Sequence, residues 1–166
     1  MARLRRHRWF LGVLALGAVL RALAMLGYRP ALWFPDSYTY VVTALRPSPD
    51  LVRPAGYPLL LLRPLAPFHS FGVVVGVQHL FGLALGVLVY VVAGRLGAPR
   101  WAATLAAAPV LLDAYQIQLE HLLVSDPLFA VLVAVAVCLA LRASPTTGRG
   151  LAVAVGLLAA AAALTR

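Results

Sequence analysis

The sequence predicts an all-α, polytopic membrane protein with about five spans and a long outer segment between the first two. Three observations carry that reading. The 166 residues are 63% hydrophobic and only 11% charged, against roughly 45–50% and 25% in soluble domains, and the mean hydropathy is +0.92. The apolar residues fall into runs near the roughly 20 helical residues that cross a hydrocarbon core of about 30 Å. The charges are segregated along the chain rather than spread over a solvated face.

The first span is "WFLGVLALGAVLRALAMLGY", residues 9 to 28, interrupted only by Arg21. The second is about 71 to 94, "FGVVVGVQHLFGLALGVLVYVVAG". A third, about 101 to 118, a fourth, about 127 to 141, and a fifth, about 151 to 165, are shorter or more polar at one end. Shorter spans are accommodated when flanking groups snorkel or the bilayer thins. Residues 1–166 thus read as a single transmembrane domain, with 29–70 as its outer loop.

Orientation follows from the arginines, because short cytoplasmic loops hold the positive excess. All 14 basic residues are Arg, against five acids. The N-terminal "ARLRRHR" carries Arg3, Arg5, Arg6 and Arg8, and with five spans the loops containing Arg95, Arg100, Arg142 and Arg149 fall on the same side. That side is expected to be the cytoplasm, with the chain in the plasma membrane. The five acids, Asp36, Asp50, Asp113, Glu120 and Asp126, all map to the other side. The net charge of +9 does not indicate nucleic acid, because the arginines punctuate apolar segments instead of forming one basic surface. The basic N-terminus, apolar run and Ala22-Leu23-Ala24 also read as a secretory signal peptide, but Arg21 beside that site favours a retained helix.

Residues 29–70 make a segment of about 40 residues, longer than an ordinary connection and therefore a functional-loop candidate. "LWFPDSYTYVVTALR" mixes aromatic residues with Arg and Asp, and "RPAGYPLLLLRPLAPF" is apolar and punctuated by proline. Such composition fits short helices resting at the membrane interface. Cys138 lies in an apolar run and is the single cysteine, so it makes no internal disulfide. No Gly-rich phosphate loop, CxxC, HExxH or nucleophile elbow is present, and soluble-enzyme chemistries built on them are unsupported.

"PDSYTY" after the first span, "RPAGYPLLL" before the second, "LEHLLVSDPLFAVLVAVAVCLALR" around the fourth and the closing "GLLAAAAALTR" together resemble the N-terminal region of bacterial GT-C glycosyltransferases. That superfamily includes protein mannosyltransferases and lipid A aminoarabinose transferases. The resemblance runs over nearly the whole chain. It implies a GT-C-like N-terminal module that uses a polyprenyl-phosphate sugar as donor and works at the extracytoplasmic face. Complete enzymes of this type are several times longer, so the resemblance also implies a missing C-terminal half or a partner subunit.

Residue by residue, Asp36 matches the first-loop acid that serves such enzymes as catalytic base. A carboxylate within reach of the acceptor hydroxyl suits that step, and Trp33, Phe34, Tyr38 and Tyr40 would desolvate it. The alternative is that Pro35-Asp36-Ser37 caps a helix. Asp126, with Glu120, is the second-site acid pair expected to face the same cavity, although Asp126-Pro127 also reads as N-cap then N1. Asp126, Glu120 and His121 are the candidate set for a divalent cation bridging phosphate oxygens; no other cofactor is implied. Arg53 and Arg166 are the candidate carrier-phosphate contacts, with snorkelling to lipid headgroups as the alternative. Asp113 and Asp50 read as solvated loop acids.

Arg21 sits within a span, where a charge is expensive and usually paired; its expected partner is an outer acid or the donor phosphate. Gln78 and His79 either line a polar path or hydrogen-bond to neighbouring helices, and Gly72, Gly76, Gly82 and Gly86 are spaced for close helix packing. Two other classes of function use these features: a transporter or flippase subunit through Arg21, Gln78 and His79, and a non-catalytic scaffold through the glycines.

Overall fold

A computed structural model describes residues 6–48, 52–141 and 149–166. Among them the chain forms eight helices and no β-strand: α1 Arg8–Gly27, α2 Pro35–Leu45, α3 Pro58–Phe68, α4 Phe71–Arg95, α5 Arg100–Leu112, α6 Ala114–His121, α7 Asp126–Ala140 and α8 Arg149–Thr165. The protein is all-helical. Asp50 lies outside the described residues, as do Arg3, Arg5 and Arg142.

Two helices are long and apolar enough to cross a membrane, α1 with 20 residues and α4 with 25. At 1.5 Å per residue they measure about 30 and about 37 Å. The helices α5, α7 and α8 have 13, 15 and 17 residues, and each is apolar. The span expected over about 101 to 118 is interrupted. Asp113 leaves the helical region with ψ 124°, and its carboxylate accepts hydrogen bonds from the backbone N–H groups of Tyr115 and Gln116 at 3.4 and 3.2 Å. One side chain therefore follows the last residue of α5 and caps α6, so Asp113 is a structural cap rather than a plain loop acid.

Residues 29–70 carry α2 and α3. Phe34 precedes α2, and its N–H donates to Ser37 Oγ at 2.9 Å, while the Ser37 hydroxyl donates to the Leu123 carbonyl at 2.8 Å. Ser37, not Asp36, satisfies the start of that helix. In α3 the backbone passes from π-helical turns at Pro58–Leu62 through Arg63–Leu65 to a 3₁₀ turn at Ala66–Phe68. Pro58, Pro64 and Pro67 each lack an amide donor, which breaks the regular four-residue ladder.

Antiparallel α4 and α5 pack together and α1 lies against both, while α7 pairs with α8. Small residues make the close approaches. A Cβ at Gly86 would overlap the Leu111 side chain, and one at Gly17 would fall 2.8 Å from the Leu111 carbonyl oxygen. One apolar cluster, Phe10, Tyr90, Ala103, Ala107 and Leu111, fills the α1/α4/α5 junction. The other joins the outer segment to the bundle through Tyr40, Tyr57, Leu61, Val75 and Leu123. Between α6 and α7 the backbone runs beside Leu32: the Leu32 N–H donates to the His121 carbonyl at 3.1 Å, and the Leu123 N–H donates to the Leu32 carbonyl at 3.2 Å.

Candidate functional site

Four charged residues from distant parts of the sequence line one cavity of about 720 Å³: Asp36, Arg53, Asp126 and Arg166. Asp36 stands in the first turn of α2 after Pro35. Because Ser37 completes the cap, the Asp36 carboxylate turns outward, where Arg53 Nη2 meets it at 2.6 Å. Asp126 opens α7, again with proline in the first turn, but Ser125 occupies the N-cap position. The expectation of Asp126 as N-cap is corrected by one residue, which leaves its carboxylate available to the cavity.

The end of α8 reaches this cavity by a backbone contact. A Cβ on Gly56 would collide with the main chain at Leu164 and Thr165, so only glycine admits the helix here. Thr165 is fully buried and its hydroxyl donates to the Ala162 carbonyl at 2.7 Å. Arg166 then lies with Nη1 3.7 Å from Asp126 Oδ1 and its guanidinium 5.5 Å from the centroid of the Phe129 ring. Trp33, Phe34, Tyr40 and Tyr115 supply the aromatic wall. The site holds two acids and two arginines in partly apolar surroundings, a composition able to take up a phosphate group and a hydroxyl-bearing acceptor.

Glu120 is not part of it. Its side chain is fully buried and is held from three directions. Arg21 Nε and Nη2 donate to its two oxygens at 2.7 and 2.8 Å, Gln116 Nε2 donates at 3.1 Å, and His79 Nδ1 lies at 3.0 Å. Arg21, only 2% exposed, also donates to the carbonyl oxygens of Leu111 and Gly17 at 2.7 and 3.1 Å. The expectation of Glu120 as a cavity acid is thus corrected: a charge inside α1 needs a partner, and Glu120 is that partner. Burial pushes the Glu120 carboxyl up, but the hydrogen bonds from His79 and Arg21 and the charge of Arg21 outweigh it and hold the group below the usual carboxylate range.

His121 faces the interior as well. Its Nε2 donates to the Tyr28 carbonyl at 2.8 Å, and its Nδ1 is 3.1 Å from His79 Nε2. Burial lowers its pKa further than the Tyr28 carbonyl raises it. Asp126, Glu120 and His121 therefore do not form one ligand set, and no group of three His, Cys, Asp or Glu able to hold a metal occurs among the described residues.

Beneath the cavity floor, the Tyr57 hydroxyl donates to Gln78 Oε1 at 2.7 Å, and Gln78 Nε2 donates to the carbonyls of Glu120 and Leu122 at 2.8 and 2.7 Å. Gln78 and His79 are thus spent on holding α6 and the segment that follows it. Leu119 and Leu122, on that same stretch, line the cavity, so the buried network shapes the site without entering it. Sequence reasoning found Arg21 as a charge needing a partner but not the partner itself. The signal was five acids expected on one side of the membrane, and nothing local distinguishes Glu120 from the others.

Comparison with protein-family models, with curated proteins and with solved structures returned no match.

Proposed function

We propose that this chain acts as a membrane glycosyltransferase of GT-C type, or as the N-terminal module of one. In this reading it crosses the plasma membrane about five times with a cytoplasmic N-terminus, and its charged cavity opens on the extracytoplasmic face. There it transfers a sugar from a polyprenyl-phosphate carrier to an acceptor. The observation that supports this most is the convergence of Asp36, Arg53, Asp126 and Arg166 on one cavity, with the Asp36 carboxylate 2.6 Å from Arg53.

Asp36 accepts the proton of the acceptor hydroxyl as that oxygen attacks the anomeric carbon. The bond from that carbon to the carrier phosphate oxygen breaks, the configuration inverts, and the phosphate leaves as an anion facing Arg53 and Arg166. Before donor binding Arg53 holds Asp36. A donor phosphate competes for the same guanidinium, which frees the carboxylate as the substrate arrives. Asp126 orients Arg166 from the other wall.

Membrane insertion is supported by α1 and α4 and by the exposed Leu16, Val19, Leu23 and Leu26 along α1, since a long apolar face marks a membrane contact. A transport role would need a polar path, whereas Gln78 and His79 are both engaged by protein partners. The test is turnover of a polyprenyl-phosphate sugar by the full-length gene product in detergent or proteoliposomes. Wild-type transfer lost on Asp36→Asn, with an unchanged thermal midpoint, is the expected outcome. Near-normal transfer by that variant removes the base assignment.

A further inference from the structure

A second cavity, of about 440 Å³, lies at the opposite end of the bundle and is lined by His7, Tyr90, Arg95, Pro99 and Arg100. Its wall is built rather than incidental. Tyr90 stacks on Phe10 with ring centroids 3.8 Å apart, and its hydroxyl lies 2.6 Å from His7 Nδ1.

Among the described residues the charged side chains at this end all have one sign. Two helices begin here, α1 after His7 and α5 after Pro99, and neither has a side-chain cap or an acid in its first turn. The positive ends of both dipoles are unanswered. The helix that ends here, α4, has Arg95 in its last turn against its own negative end. Among the described residues no carboxylate pairs with Arg95 or Arg100, since the acids engage Arg21, Arg53, His79 and Arg166 at the far end. Trp9 and Trp101, 69% and 65% exposed, directly follow Arg8 and Arg100. Arg8 lies 5.1 Å from the centroid of the Trp9 ring.

We infer that this cavity binds the phosphate of an anionic phospholipid headgroup. Arginine engages phosphate with paired donors, and basic pockets between spanning helices suit such headgroups. A lipid headgroup and free phosphate present the same chemistry. The two tryptophans favour the lipid, because exposed indoles settle at headgroup depth and here each opens a helix at the end of the bundle that carries the cavity. The inference rests on the membrane insertion proposed above and not on glycosyl transfer.

The test reconstitutes the full chain in nanodiscs of equal phosphatidylglycerol and phosphatidylcholine, then counts the lipids retained on release by native mass spectrometry. Phosphatidylglycerol should be enriched roughly thirtyfold among them, the preference expected of two arginines at a headgroup. The double variant Arg95→Gln/Arg100→Gln should bring the ratio to near one, while Arg63→Gln, in α3, should leave it unchanged. Equal retention by the wild type, or enrichment that survives the double variant, overturns the inference. So does displacement of the retained lipid by millimolar inorganic phosphate, which would make the ligand a free anion. Protein absent from the nanodisc fraction would overturn membrane insertion, and the lipid site with it. Both arginines are exposed, so the double variant should keep the wild-type circular dichroism.

Discussion

Arg21 and Glu120, 99 residues apart in sequence, are joined inside the bundle by two hydrogen bonds of 2.7 and 2.8 Å. The pair ties α1 to α6 and holds the backbone that floors the charged cavity. Removing one partner leaves an uncompensated buried charge, which typically costs about 3–5 kcal/mol. Arg21→Met and Glu120→Leu should each lower the thermal midpoint sharply, and the double variant Arg21→Met/Glu120→Leu should recover part of the loss. Additive losses in the double variant would show that the two side chains are not coupled.

Gly82 is the contact that makes room for this pair. A Cβ there would overlap the Glu120 carboxylate, so Gly82→Ala should destabilise the fold as strongly as loss of the ion pair. The same change at Gly94, which has open space around it, should be tolerated or slightly stabilising because alanine favours the helix. Equal midpoints for the two variants would refute the close approach.

Acidification should weaken the fold. The pKa values of Glu120 and His121 are both lowered in the folded state. The unfolded chain then binds more protons over the range where each group titrates, so stability rises with pH. Stability should fall as pH drops below the ordinary histidine value of about 6.5, and again through the carboxylate range below about 4.5. Thermal midpoints measured against pH should show both steps, and His121→Gln should remove the upper one. An unchanged upper step in that variant would assign it to another group.

The Asp126 and Arg166 side chains are 40% and 65% exposed and 3.7 Å apart, which makes their pair worth about 1 kcal/mol or less. Arg166→Gln should therefore leave the midpoint nearly unchanged while lowering transfer at least tenfold in the full-length gene product, with most of the effect in KM if its contact is to donor phosphate. A large fall in stability with unaltered KM would mean that Arg166 serves the fold alone.

Gly56→Ala should act on the same arginine from a distance. Added bulk at Gly56 collides with the backbone at Leu164 and Thr165 and would push the end of α8 off the cavity. Loss of protection of the Thr165 amide in hydrogen exchange is the expected signature, and wild-type protection would count against it.

Much of this molecule was legible in one dimension. Hydrophobic runs mark α1 and α4 within a residue of their observed ends, because crossing length and helical rise are local properties. The side on which each acid is expected follows from counting segments, because successive spans alternate in direction. Asp36, Arg53, Asp126 and Arg166 could be nominated from residue type and from the side of the membrane on which each should fall. What only the tertiary structure decided is which charges meet. Asp36 and Asp126 each follow an apolar stretch and adjoin proline, and Glu120 lies six residues before Asp126, yet Glu120 turns inward to Arg21 while the other two open to the cavity. That choice depends on Gly82, Gly17 and Gly56 letting backbones approach, and on Ser37 capping a helix so that Asp36 does not have to. The break at Asp113 likewise escaped the hydropathy pattern, because a hydrogen-bonding carboxylate ends a helix by satisfying the next one rather than by changing the composition around it.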